Sequence, residues 1–220
     1  MIWDLVEKLE TLKPELNNKV EPTQLTARLR RTVRDLEQVR VMTKRDPGLD
    51  PNTVAFGGHH DQESDEIQIH VYTTQHSDTI DINKLDWSRV CLEFAECLGH
   101  ELVHRQQQTR ARPPGNVYRS KETDAEKKRD QEYLGTAEEI EAYGYSIAAE
   151  LAVKHRVFVP DPVLLDQIVM YQVYVNTFDT DQSVVLKLHR QISKYLHRLE
   201  VDYNDKTNNT SRRPNRSSRD

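Results

Sequence analysis

The stretch His100-Glu101-Leu102-Val103-His104 constrains the fold of this 220-residue chain more than any other part of its sequence. It continues a segment that begins at Asp86 or Ser88, either of which can cap a helix. Apolar residues recur there with helical spacing on two adjacent stripes: Val90, Phe94 and Cys97, and Cys91, Ala95, Leu98 and Leu102. The predicted helix is therefore largely buried. Because an unpaired imidazole or carboxylate is costly in an apolar interior, the three polar side chains need a common partner.

A divalent metal ion is the partner that this spacing favours. Residues four apart lie on one face of a helix, so His100 and His104 can bind the same ion, while Glu101 leans toward a water that the ion holds. Zinc would bring the pKa of that water toward ~7, and Glu101 would take its proton. The pattern predicts a zinc-dependent enzyme that hydrolyses peptide bonds, with Zn²⁺ as cofactor and Glu101 as the catalytic base.

A hydrolytic zinc site needs three protein ligands and an open position, so a further ligand must come from downstream. Residues 137–151 form a second helical pattern, whose small side chains allow close packing against the first helix. Glu139, near its start, is the predicted third ligand. Thr136 followed by Glu139 also spells a capping box, in which the carboxylate would turn back to the backbone instead. Glu138 and Glu141 are the alternative third ligands.

Together these residues resemble the gluzincin type of zincin metallopeptidase. The likeness is to small, often phage-encoded zinc peptidases, and more distantly to regulatory peptidases of the ImmA/IrrE type and to Ste24-like peptidases. It rests on the HELVH motif and on Glu139 with Ala142 three residues later, and it covers about residues 66 to 152. It implies an α+β fold, a mainly helical zincin-like domain with a small antiparallel or mixed sheet. Several gluzincins carry, four residues after the ligand glutamate, an aspartate that orients a zinc histidine. This chain has Tyr143 there, whose hydroxyl could fill the same role.

The mechanism that the resemblance implies also needs a hydrogen-bond donor for the oxyanion of the tetrahedral intermediate. Tyr133, Tyr143 and Tyr145 are the candidates close to the predicted ligands in sequence, and their spacing does not choose among them. The connection between the two helices is a further source. Residues 105–135 combine Pro113-Pro114-Gly115 with dense mixed charge, and they are predicted to form a mobile flap beside the site.

Upstream of the metal helix the sequence changes to strand character. Residues 53–56 and 66–72 flank a polar, glycine-bearing connection and predict a hairpin. In zincins an edge strand before the metal helix aligns extended substrate, so residues 66–73 are the expected substrate-binding strand. His59 and His60 lie in the connection and are expected to be exposed loop residues without a metal.

A single domain is predicted for residues 1–203. Residues 1–45 are expected to supply N-terminal helices, residues 53–154 the catalytic core and residues 160–203 C-terminal helices. Residues 204–220 are rich in Asn, Thr, Ser and Arg, and they are predicted to form a disordered basic tail.

Composition limits the partners. The net charge of -5 makes no overall case for nucleic acid, although five basic residues and one acidic residue in 206–220 allow weak, nonspecific contact. No run approaches the ~20 apolar residues of a membrane span, and the first residues lack a basic-then-apolar signal. Cys91 and Cys97 face different sides of one helix, which fits the cytoplasm, the host's if the chain is phage-encoded. The expected partner is a peptide or protein substrate, with no membrane.

A second class of function shares the same motif. The chain could keep a zincin scaffold as a catalytically silent binding module, a phage-type structural or regulatory protein without turnover. The intact Glu101 favours the enzyme, because a pure scaffold has no need for a general base beside a zinc ligand.

Overall fold

The computed structural model describes residues 2–16, 18–110 and 117–211, with side chains through residue 208. These residues form eight α-helices: α1 (Ile2–Glu10), α2 (Pro22–Thr32), α3 (Trp87–Thr109), α4 (Ala125–Leu134), α5 (Ala137–His155), α6 (Pro162–Leu165), α7 (Val169–Thr177) and α8 (Gln182–Ser211). They also form five strands: β1 (Lys19–Val20), β2 (Val39–Asp46), β3 (Val54–Asp61), β4 (Glu66–Thr74) and β5 (Ile80–Asp81). Two short 3₁₀ helices are Lys13–Glu15 and Ile82–Lys84.

The main sheet is small and mixed. Its strand order is β2-β4-β3, with β2 parallel and β3 antiparallel to β4, while β1 and β5 pair separately. Ile67, Ile69 and Val71 alternate along β4 and are fully buried, since a strand turns every second side chain to the same face. Phe56 of β3 packs edge-on against Phe94 of α3, with ring centroids 5.5 Å apart. The predicted α+β fold, mainly helical with a small sheet, is therefore confirmed.

The sheet order corrects one prediction about the substrate-binding strand. Residues 66–73 belong to β4, which is the central strand and not an edge strand. β4 also pairs with β2, which lies where N-terminal helices were predicted. The sequence gives little sign of this strand, because Val41 is the one buried residue among its eight. The edge strand beside α3 is β3.

The polar connection of the predicted hairpin is shorter than 57–65. β3 continues through Asp61, because backbone pairing with β4 does not depend on side-chain polarity. His59 is exposed, as expected, but lies in this strand. His60 is buried, and its Nε2 lies 2.9 Å from Oδ1 of Asp65. Both histidines were predicted to lie in an exposed loop. That placement is wrong, because both lie in β3, and the predicted exposure is wrong for His60, which is buried.

The two helices that carry the predicted ligands, α3 and α5, are neighbours. α3 begins after Asp86, whose carboxylate accepts the Arg89 backbone N–H at 3.2 Å, as the capping prediction required. Gly99 of α3 faces Tyr145 of α5 so closely that a Cβ there would overlap the ring. Gly144 brings the other side of α5 equally close to α8. Gly99 therefore allows the close approach of α3 to α5, while Gly144 serves the contact between α5 and α8.

The C-terminal helix is longer than predicted. α8 runs to Ser211, so the predicted disordered tail starts inside this helix, and residues 212–220 lie outside the described residues. The Pro113-Pro114-Gly115 break also lies outside them, while α4 forms part of the predicted flap. In the part of the chain that the structure describes, no helix combines the length and apolar character needed to span a bilayer.

Candidate metal centre

Two helices bring three potential ligands to one place. α3 carries His100 and His104 on successive turns of one face, and α5 carries Glu139 in its first turn. The Nε2 atoms of the two histidines are 3.0 Å apart. Oε2 of Glu139 lies 3.6 Å from His100 Nε2, and Oε1 lies 3.5 Å from His104 Nε2. One ligand atom from each residue fits within a group no more than 4.8 Å across, so the three predicted ligands are brought together.

The capping box at the start of α5 is only half formed. Thr136 Oγ1 accepts the backbone N–H of Glu139 at 3.3 Å, which is the expected cap. In a complete capping box the Thr136 backbone N–H would donate to the Glu139 carboxylate. Here it donates instead to the backbone carbonyl of Tyr133, at 3.3 Å. The Glu139 carboxylate is thereby left to face the histidines. Cap and ligand roles therefore coexist: the backbone of Glu139 serves the first, and its side chain can serve the second.

The charge pattern fits a cation at this place. Oε2 of Glu139 is buried and has no hydrogen-bond partner among the described residues, which is costly unless a positive group compensates it. Burial would raise the pKa of Glu139, but His100 and His104 outweigh burial and lower the pKa to about 2. Burial would lower the pKa of His104, but Glu139 and Gln107 outweigh it and raise that pKa. Two imidazoles and one carboxylate are the donor set of a hydrolytic zinc site, so the residues fit zinc.

Glu101 lies between this cluster and the edge strand. Its side chain is buried and is packed so tightly against β3 that a Cβ on Gly58 would overlap its Cγ. Burial raises the pKa of Glu101, and the charge of Glu139 acts in the same direction, while His100 and His104 oppose it. A carboxylate with a raised pKa accepts and returns a proton more readily near neutral pH. The position suits the predicted general base.

The two alternative third ligands do not join the cluster. The Glu141 side chain turns away from it toward α8, where it accepts hydrogen bonds from Lys194 Nζ at 2.7 Å and from the Tyr195 hydroxyl at 3.2 Å. Glu138 contributes its backbone carbonyl, which accepts from Gln107 Nε2 at 3.0 Å. Neither carboxylate belongs to the group of ligand atoms that His100 and His104 complete.

The three candidate tyrosines have different surroundings. Tyr145 is buried between Gly99 and Tyr195, with its ring centroid 5.4 Å from that of Tyr195, and so packs toward α8. Tyr143 packs the edge of its ring against His100, with centroids 4.5 Å apart, and so fixes the ring by contact. Tyr133 is half exposed beside the cluster, where burial and then the charge of Glu139 raise its pKa. It is the candidate oxyanion donor that lies nearest to open space.

Sequence reasoning missed two side chains that contact His100 and His104. Gln107 Oε1 lies 3.0 Å from His104 Nδ1, and Ser146 Oγ lies 3.5 Å from His100 Nδ1. Ser146 therefore occupies the ligand-orienting place that was expected for the Tyr143 hydroxyl. Gln107 follows His104 by three residues, which places it on the same helix face, so that spacing could have revealed it.

The chain was compared with protein-family models, with curated proteins and with solved structures, and none of the three comparisons finds a match.

Replacing Glu139 by glutamine separates its two roles. The cap uses the backbone N–H of Glu139, so helix α5 should be retained, while zinc affinity should fall by more than the roughly 10–100-fold that an outer partner of a ligand costs. Competition with a chromophoric chelator measures the affinity, and circular dichroism measures the helix content. Glu138→Gln removes the same charge one residue away and should bind as the parent does. Equal affinity in the Glu139→Gln protein would remove this residue from the ligand set.

Proposed function

We propose that the chain is a zinc-dependent peptidase of the gluzincin type, in which His100, His104 and Glu139 hold the metal and Glu101 is the general base. The observation that carries the proposal is the convergence of the His-His-Glu cluster from two helices, with Glu101 buried beside it. Cys91 and Cys97 are both free, which agrees with the cytoplasm as the compartment, the host's cytoplasm if the chain is phage-encoded.

The chemistry divides between the metal and the chain. Bound zinc supplies a Lewis acid and an acidified water. Glu101 then takes the proton of the attacking water and returns it to the leaving amine, a task that needs a pKa raised toward neutrality. Tyr133, half exposed beside Glu139, is the proposed donor to the oxyanion. Gln107 Oε1 contacts Nδ1 of His104, and Ser146 Oγ contacts Nδ1 of His100, so both orient the rings from the nitrogen that does not face the cluster.

The substrate class follows from the edge strand. In the described part of the chain, β3 pairs with β4 along one edge only, so its other edge offers backbone N–H and C=O groups to an extended peptide. Gly58 of this strand touches Glu101, so a peptide paired with β3 would run past the catalytic base. The proposed substrate is therefore an extended segment of a peptide or protein. β3 takes over the role first expected of residues 66–73.

A peptide library tests the function before any single substrate is identified. Zinc-loaded protein is incubated with peptides from a digested proteome, and new peptide termini are identified by mass spectrometry. We expect cleavage at internal bonds that stops after chelation and returns when zinc is added. Stoichiometric zinc without any cleavage would contradict the proposal and would support the alternative, a zincin scaffold that binds a partner without turnover.

Gly58→Ala tests the contact between the edge strand and the base. The added methyl would overlap the Glu101 side chain and displace it, and a displacement of about 1 Å can cost roughly 100-fold in rate. Gly57→Ala is the control, because its Cβ would lie 3.0 Å from the Tyr72 ring, which can shift. Neither Gly57 nor Gly58 has a positive φ, so alanine is compatible with the backbone at both positions. Peptidase rate and zinc content are measured together.

We expect the Gly58→Ala protein to keep its zinc and lose most of its turnover, while the Gly57→Ala protein stays near the parent. Equal turnover in both would show that this contact does not position Glu101.

A further inference from the structure

Nδ1 of His104, the ring nitrogen that points away from the cluster, contacts the side-chain amide of Gln107. The orientation of this amide is fixed by its other partners. Gln107 Nε2 lies 3.0 Å from the carbonyl oxygen of Glu138 and 3.3 Å from Oε2 of Glu141. A backbone carbonyl can only accept a hydrogen bond, so the nitrogen of the Gln107 amide must be on this side. Its oxygen, Oε1, then faces His104 Nδ1 at 3.0 Å. Because that oxygen can only accept, Nδ1 of His104 must carry the proton.

The other ring nitrogen of His104 is thereby left with its lone pair. When the imidazole is neutral, one nitrogen is protonated and the other is not, so Nε2 is then the acceptor. The Glu139 carboxylate, whose Oε1 lies 3.5 Å from Nε2, opposes this tautomer, and the Gln107 oxygen at Nδ1 favours it. This nitrogen faces His100 Nε2 at 3.0 Å, an arrangement that requires one of the pair to lack a proton. A lone pair on Nε2 is also what a metal at the cluster needs. The amide of Gln107 therefore sets which nitrogen of His104 can bind.

Glu141 is held in place as the acceptor for this amide. Its side chain is 3% exposed, and burial of a carboxylate is tolerated only with close partners. Lys194 Nζ at 2.7 Å and the Tyr195 hydroxyl at 3.2 Å both donate to Oε1 from α8, and Arg110 Nη1 lies 3.4 Å from the same oxygen. These donors engage Oε1, while Oε2 accepts from Gln107. Side chains of α8 thus reach the cluster through two hydrogen-bonded residues.

We propose that Gln107 and Glu141 are positioning residues that fix the tautomer of His104, with Lys194 and Tyr195 of α8 anchoring Glu141. The consequence for metal affinity rests on the proposed function, whereas the tautomer belongs to the protein without metal.

Glu141→Gln is the decisive substitution. A glutamine at 141 keeps the size of the side chain but adds an NH₂ that can donate to Gln107 Oε1. The Glu138 carbonyl still accepts from Gln107 and opposes a reversal of its amide, so the two orientations compete. The reversed orientation presents the Gln107 NH₂ to His104 Nδ1 and favours the tautomer protonated on Nε2. Glu138→Gln is the matched control, because it removes the same charge in the same helical turn, while Glu138 enters the network through its backbone carbonyl.

The tautomer is read from long-range ¹H–¹⁵N correlation spectra of histidine-labelled, metal-free protein, recorded at increasing pH until the His104 ring shows the signals of the neutral imidazole, because its pKa is raised above the ordinary value. The His104 signal is assigned by its absence in His104→Ala. We expect the Nδ1–H tautomer in the parent and in Glu138→Gln, and a shift toward Nε2–H in Glu141→Gln. Gln107→Met, which has a similar shape but no amide, should also lose the Nδ1–H preference, and it carries the test if Glu141→Gln does not fold. The Nε2–H tautomer in the parent, or no change in either folded variant, would overturn the proposal.

Zinc affinity provides the second readout. Removal of an outer hydrogen bond to a ligand histidine typically weakens metal binding roughly 10–100-fold, and we expect this loss in Glu141→Gln and Gln107→Met but not in Glu138→Gln. A parent that binds no zinc and yet shows the Nδ1–H tautomer would contradict the proposed function while supporting the positioning role. Parent-like zinc affinity in both folded variants would contradict the positioning role alone.

Discussion

His100→Ala and His104→Ala are each expected to reduce zinc from one ion per chain to almost none. Each substitution leaves two ligand side chains, and zinc that holds three protein ligands and a water cannot be retained well by two. Because the ligands come from α3 and α5, binding also stabilises the packing of these helices. Metal analysis after dialysis gives the stoichiometry, and circular dichroism confirms that the variants remain folded.

Thermal unfolding provides an independent measure of the same loss. At free zinc 100-fold above its Kd, binding to the folded state adds about 2.7 kcal/mol to the free energy of unfolding. For a chain of this size that corresponds to a rise in Tm of about 5–10 °C. His197→Ala is the matched control, since His197 is exposed on α8 and should leave both zinc content and Tm shift unchanged. Full zinc content in both ligand variants would refute the site.

The local features of the candidate site were accessible from the sequence. The spacing of His100 and His104 on an apolar helix, the cap at Asp86 and the position of Glu139 at the start of the next helix all depend on residues a few positions apart. The same rules indicated that α5 has a small-residue surface, but they did not show that Gly144 faces α8 or that Gly99 is the small residue between α3 and α5. These rules did not predict the direction of the Glu139 side chain, because the same residues, Thr136 and Glu139, fit both a capping box and a metal ligand at the start of a helix.

The features that sequence reasoning missed depend on long-range contacts. β2 pairs in parallel with β4, although β3 lies between them in the sequence. Because most side chains of β2 are polar, its sequence gives little indication of a strand, and the order of the sheet could not be predicted. The glycines and histidines of β3 looked like a loop because pairing with β4 uses the backbone. Tyr145 follows Tyr143 by two residues, but on a helix that spacing turns it about 200° away, toward Gly99 and α8.

Glu101→Gln is expected to keep zinc and fold but to lose hydrolysis. The amide has nearly the same size as the carboxylate, so the contact with Gly58 is preserved, yet it cannot accept the proton of the attacking water. Loss of a general base should lower the turnover number by ~100-fold to 10,000-fold. The measurement is the rate of cleavage of the best library peptide, normalised to zinc content.

Glu96→Gln provides the control, because Glu96 lies on the same helix, is also a carboxyl whose pKa burial raises, and is not part of the ligand group. Its turnover should match the parent. If Glu101→Gln retains parental turnover with full zinc, another group activates the water and Glu101 has only a structural role. If instead Glu101→Gln loses zinc along with turnover, the carboxylate helps to hold the metal. The separation of zinc content from rate is thus the result that defines Glu101 as a base, because no ligand or packing role predicts it.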